Sequence, residues 1–222
     1  MRTGRWVAAG LLGVVAVAAG MTPASASEPV VLLPLGASIT HGYGSTDGNG
    51  YRGVLHERLT REAGLSVDFV GSQHSGTAPD PDHEGHPGWR IDQIAARADG
   101  WLATYHPDIV VMHLGTNDMI QDYRSATAPD RLVALADHIV AADPGVTVYV
   151  SSLVCSSVPA VNARIDAFNA RLPALVAGHY GVVYVDQHAV MTAADLSDQV
   201  HPTNEGYRRI ANAWYDAIVA RR

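Results

Sequence analysis

Five short apolar runs, each followed by a stretch long enough for a helix, set the strongest limit on what this chain can fold into. The runs are VVLLPL at 30–35, SVDFVG at 66–71, DIVVMHL at 108–114, VTVYVSSL at 146–153 and VVYVD at 182–186. Segments of helical period lie near 51–63, 90–104, 129–142, 159–178 and 203–220. Runs that are apolar almost throughout, instead of at every second residue, belong to a sheet covered on both faces. Regular alternation with helices makes that sheet parallel. The expected fold is therefore α/β, a three-layer α/β/α sandwich around a five-stranded parallel sheet. Pro107-Asp108 and Asp143-Pro144-Gly145 stop two of the helices ahead of the next strand. In the last helix Tyr207, Ile210, Trp214, Ala217 and Ile218 recur at helical spacing and predict a core stripe.

Ahead of the first run stands a different kind of segment. Arg2 and Arg5 precede an apolar stretch from Trp6 to Gly20, and Ala24-Ser25-Ala26 follows as a small-x-small cleavage site. This is the three-part pattern of a secretory signal peptide, expected to span 1–26 and to be removed, leaving 27–222 as one secreted domain. The apolar stretch is short and rich in Ala and Gly for a membrane span. Two of the 15 basic residues, all arginine, leave with it and none of the 22 acidic ones, so the net charge moves from −7 to −9. A surface that acidic argues against nucleic acid or an anionic membrane as partner. Cys155 is the single cysteine, in an apolar context that reads as a small buried hydrophobe, and it allows no internal disulfide. There is neither a zinc-type Cys/His cluster nor a calcium loop, so no metal or other cofactor is expected.

Open parallel sheets bind ligands outside the carboxyl ends of their strands. The residues with chemical potential fall there. Ser38, in LPLGASITHGYG, follows the first strand, Gly71 ends the second, Asn117, in HLGTNDM, follows the third, and Asp198 and His201, in DLSDQVHP, follow the fifth. Serine becomes a nucleophile when a base takes its proton, and the base works best when a carboxylate holds its tautomer. Asp198 and His201 have the spacing to supply both, although a D-x-x-H pair alone is often only a surface turn. Asn117 reads either as an Asx-turn or as a donor to a developing oxyanion, and Gly71 either as a turn glycine or as a place where a backbone N–H reaches the same anion.

Taken together, these segments resemble the SGNH, or GDSL, hydrolase superfamily, whose blocks contribute Ser, Gly, Asn and His in this order. The resemblance implies a flavodoxin-like sheet, Ser38 as nucleophile, His201 as general base and then acid, and Asp198 as orienting carboxylate. It also implies an oxyanion hole made of the backbone N–H groups of Ser38 and Gly71 and the side-chain amide of Asn117. HEGHPGWRIDQI at 83–94, GYRGVL at 50–55 and PDIVVMHLGTNDM at 107–119 look more narrowly like the secreted carbohydrate esterases of family three, which deacetylate xylan. His86 and Trp89, beside Gly88 and Arg90 in a long loop, are the substrate-pocket candidates, although a Trp entering a helix is more often a packing anchor than a sugar platform. The partner implied is an acetylated polysaccharide, with no nucleic acid, no membrane after cleavage of the leader, and a monomeric enzyme.

The superfamily carries Asp before its nucleophile, and this chain carries Ala37. No proton transfer in the scheme needs a carboxylate there, so an active enzyme with a less rigid oxyanion hole is expected. Two other functions fit the same residues: a lipase, lysophospholipase or thioesterase of broader acyl range, and a carbohydrate-binding protein whose active site has decayed. Eight further histidines, His41, His74, His83, His106, His113, His138, His179 and His188, have no assigned role, and most are expected to be surface or structural.

Overall fold

The computed structural model describes Met1, Gly4 and residues 28–222. The expected leader therefore falls almost wholly outside the described residues. The strands are β1 (Val30–Gly36), β2 (Val67–Phe69), β3 (Gln73–His74), β4 (Asp82–Gly85), β5 (Ile109–His113), β6 (Thr147–Ser151) and β7 (Val182–Val185). The helices are α1 (Ser38–His41), α2 (Gly50–Arg61), α3 (Ile91–Ala95), α4 (Ala98–Tyr105), α5 (Thr116–Ile120), α6 (Ala128–Ala142), α7 (Pro159–Val176) and α8 (Asn204–Ala220). The parallel core runs β2-β1-β5-β6-β7. Its strands sit on the five apolar runs.

Alternate residues of each strand feed two separate cores, as a doubly covered sheet requires. Leu33, Leu35, Val110, Met112, Val148 and Val150 pack under α3, α4, α6 and α7. Leu32, Ile109, Val111, Tyr149 and Val185 meet α2 and α8 on the other side. Tyr207, Ile210, Trp214 and Ile218 of α8 are buried, and Ala217 only lines the edge of that core.

Two expectations need correction. Among the described residues the sheet has seven strands, not five, because part of the stretch expected to be a long loop after residue 71 forms β3 and β4. β2 pairs with β1 only from Val30 to Leu32, and β4 takes over the same edge at Leu35 and Gly36. Pro34, with no N–H for a ladder, stands where the partner changes. The helix expected over 90–104 is two helices. Between them the Arg97 N–H bonds to Ile94 O in a tight i→i+3 turn, which keeps Ile91, Ile94, Ala98 and Leu102 all in one core.

Candidate active site

β1 delivers its chain into the first turn of α1, and Ser38 is the first residue of that helix. Ala37 turns the corner at φ −123°, ψ −137° with no side-chain cap. Its methyl is 7% exposed and belongs to the larger apolar core. Backbone bonds hold the corner instead: His41 N–H to Ala37 O at 2.9 Å and His86 N–H to Gly36 O at 3.0 Å.

His201 arrives from the loop ahead of α8. Its Nε2 lies 2.9 Å from Ser38 Oγ, and its Nδ1 lies 2.7 Å from Asp198 Oδ2. Asp198 Oδ1 accepts the backbone N–H groups of Val200 and His201, each at 2.8 Å. Burial pushes the Asp198 carboxyl up, but these two N–H groups and the imidazole outweigh it and hold the pKa below the usual aspartate value. The loop closes on itself through Ser197 N–H to His201 O at 2.8 Å, and the Thr203 hydroxyl caps α8 by accepting from Gly206 N–H. Such an arrangement can move the Ser38 proton to Nε2 while the carboxylate stabilises the resulting imidazolium.

Three N–H donors lie on the segments next to Ser38. The Ser38 N–H, at a helix N-terminus, has no acceptor within its own helix, and among the described residues neither it nor the Gly71 N–H is paired. Asn117, buried at the start of α5, donates one amide hydrogen to Trp89 O at 2.8 Å, which leaves the second free. Gly71 has φ +156°, and a Cβ there would lie 2.1 Å from the His83 carbonyl carbon. Only glycine lets β4 run this close.

The 84–89 segment braces all three donors. Glu84 is fully buried and accepts from Ser72 N–H at 2.6 Å, from the Ser72 hydroxyl at 3.0 Å and from His86 Nε2 at 2.7 Å, which fixes the chain just past Gly71. His86 stacks on Trp89 at 4.2 Å and on Trp101 at 5.1 Å between ring centroids, and Trp89 packs against the core. Asp118, also buried, accepts from Ile91 N–H at 3.1 Å and pairs with Arg131 at 2.9 Å, tying Asn117 to the start of α3.

Arg52 is the residue whose part the sequence did not reveal. Its side chain is fully buried, and among the described residues no carboxylate lies within salt-bridge distance. The guanidinium instead donates to the carbonyls of Thr40, His41, Gly48, Ser75 and Pro81 at 2.8–3.2 Å and to the Ser75 hydroxyl at 2.7 Å. It thereby joins the helix that carries Ser38 to the two loops beside it. GYRGVL is part of the resemblance to carbohydrate esterases, but an arginine in a helix ordinarily signals a wet face.

Two of the histidines expected to be surface or structural, His83 and His113, are buried and neutral. His83 accepts Gly85 N–H on Nδ1 at 2.9 Å and contacts the Ser75 hydroxyl through Nε2 at 2.7 Å; burial and the nearby Arg52 charge push its pKa down to about 2. Burial takes His113 down to about 4. Unfolded, both regain a pKa of about 6.5 and bind protons that the folded state refuses. Stability is therefore complete above that value and falls below it, by at most about 3 kcal/mol per pH unit for the two together, reached near pH 5. Urea unfolding across that range is expected to show the fall, and His113→Gln is expected to lessen its slope by about 1 kcal/mol per pH unit near pH 5. Cys155 is half-buried, less enclosed than its apolar context implied.

A doubly wound parallel sheet that sets a serine on its first strand-to-helix turn, in hydrogen-bonded line with a histidine and an aspartate from the loop before its last helix, defines the SGNH hydrolase class. The chain belongs to the GDSL-like Lipase/Acylhydrolase family, whose model matches residues 35–209. It is similar to a family 3 carbohydrate esterase of Clostridium thermocellum, with 35% identity, a TM-score of 0.76, and 87% of this chain and 96% of that one covered. A carbohydrate esterase family 3 protein from Talaromyces cellulolyticus superposes with a TM-score of 0.75 at 33% identity over 86% of this chain and 97% of its own. A multidomain esterase of Ruminococcus flavefaciens is 29% identical across 87% of this chain. The aligned chain spans only 29% of that protein's length.

Proposed function

We propose that this chain is a secreted serine esterase that removes O-acetyl groups from a plant polysaccharide, with acetylated xylan as its substrate. The observation that carries the reading is the unbroken line from Ser38 Oγ through both nitrogens of His201 to Asp198. Ser38 attacks the acetyl carbonyl carbon as His201 Nε2 takes its proton. The negative charge then gathers on the carbonyl oxygen, where the N–H groups of Ser38 and Gly71 and the free amide hydrogen of Asn117 receive it. Collapse gives acetyl-Ser38 and a sugar alkoxide, which leaves as the alcohol with the proton from His201. Water, deprotonated by the same nitrogen, repeats the sequence and releases acetate.

The carbohydrate esterase names of two structural neighbours support the substrate class, and a third neighbour at 32% identity is an acetyl esterase mutant solved with an acetate ion. Acetate release from acetylated xylan and acetylated chito-oligosaccharides, together with alcohol release from a series of acyl esters from acetate to octanoate, tests the reading. The expected order puts acetylated xylan first and has activity falling beyond acetate. A preference for octanoate would move the protein to the lipases of the same fold.

A further inference from the structure

We propose that Tyr43 is the seat of the sugar ring whose acetyl group is removed, so that the loop after α1 forms a carbohydrate subsite on the His201 side of Ser38. The inference rests on the deacetylase reading above and goes on to place the substrate. It starts from the chemistry of the leaving group. His201 must hand its proton to the sugar oxygen, so the sugar has to lie on the same side of Ser38 as His201, with the acetyl methyl turned away from it.

Beside His201 lies a cleft of about 510 Å³, lined by Tyr43, Gly44, Gly48, Gly76, Asp198 and His201 among others. Tyr43 is 47% exposed and its ring centroid stands 5.7 Å from that of His201. A single exposed aromatic residue is ordinary. This one is immobilised. Its N–H bonds to Ser38 O at 3.0 Å and its carbonyl accepts the Tyr207 hydroxyl at 2.5 Å. Farther along the loop, Asn204 accepts from Thr46 N–H at 2.9 Å and donates to its hydroxyl at 2.7 Å. His41, which also lines the cleft, packs against the ring in a T-shaped pair at 4.9 Å, and His83 meets His41 in the same way at 5.2 Å.

Glycine keeps the loop against the histidine. A Cβ on Gly44 would lie 2.5 Å from both Pro202 O and Ser197 Oγ, so a side chain there would lift Tyr43 away from His201. The ring offers an apolar face to the C–H face of a pyranose and keeps its hydroxyl in water. Because the loop is already ordered, little conformational freedom is lost on binding. His86 and Trp89 satisfy each other by stacking and are not among the residues lining this cleft.

Tyr43→Ala and Tyr43→Phe, assayed on acetylated xylo-oligosaccharides and on methyl acetate, test the assignment. Methyl acetate has a leaving alcohol too small to reach Tyr43, and it reports on the chemistry alone. Tyr43→Ala is expected to raise KM for the oligosaccharide about tenfold with kcat nearly unchanged, and to leave kcat/KM for methyl acetate within about twofold. Tyr43→Phe is expected to match the wild type on both. Equal losses on both substrates, or no change on the oligosaccharide, overturn the subsite while the esterase reading stands. A wild-type enzyme that hydrolyses methyl acetate and leaves the oligosaccharide untouched overturns the carbohydrate reading and the subsite with it.

Discussion

Ser38→Ala is expected to lower the hydrolysis of a chromogenic acetate by about 10⁴-fold or more and to shift thermal unfolding by no more than about 3 °C. The hydroxyl makes one native hydrogen bond, to His201 at 2.9 Å, so its loss removes little from the folded state. In the proposed mechanism it is also the atom that forms the covalent intermediate, and no neighbour replaces it. Groups that act as one unit fail together, so adding His201→Ala to Ser38→Ala is expected to cost almost nothing more. Asn117→Ala removes a donor and leaves the nucleophile in place, with an expected loss of about 10²- to 10³-fold in kcat. Acetate release by Ser38→Ala at near the wild-type rate would refute the acyl-enzyme scheme, and so would equal losses in the Ser38 and Asn117 variants.

Arg52→Met is expected to cost about 4 kcal/mol of folding stability, measured by urea unfolding at neutral pH. Methionine fills a similar length of the site and donates nothing. The carbonyls of Thr40, Gly48, Ser75 and Pro81 lose the guanidinium in a place where the Arg52 side chain is fully enclosed. His41 O keeps the Ser75 hydroxyl at 2.6 Å, and relief from burying a cation offsets part of the total. Against a typical domain stability of about 5–15 kcal/mol this is a large fraction. Arg52→Lys is expected to recover less than half, since one ammonium cannot span acceptors that a planar fork reaches from both sides. Loss of activity should follow loss of structure, because the same carbonyls belong to the turn behind Ser38 and the loops beside it. A stability within about 1 kcal/mol of wild type would show that water enters and satisfies the carbonyls.

The five apolar runs were readable as strands because hydropathy reports burial directly, and β5 and β6 are buried almost throughout. β4 escaped the same reading. Its sequence is DHEG, yet His83, Glu84 and Gly85 are all buried. Polar side chains can line an interior strand when each finds a partner, as His83 does in Ser75 and Gly85 and Glu84 does in Ser72 and His86. Ser72 and Ser75 lie on other segments, so composition along the strand gives little warning. The division of the 90–104 helix was hidden for a related reason: both halves keep the apolar period, and the break is only one tight turn.

By itself the sequence determined the layered α/β architecture, the order of the segments that carry Ser38, Gly71, Asn117, Asp198 and His201, and their placement at strand ends. Period and turn chemistry are local properties, and a parallel sheet puts every strand end on one side. Only the tertiary structure decided which of these atoms meet. Ser38 and His201 are 163 residues apart and come within 2.9 Å. The buried charge of Arg52, the bracing of the donors by Glu84 and Trp89, and the position of Tyr43 over the cleft were likewise settled by packing. Each depends on where carbonyls, rings and N–H groups from distant segments come to rest once the sheet has closed, and on the exclusion of water that makes their pairing obligatory.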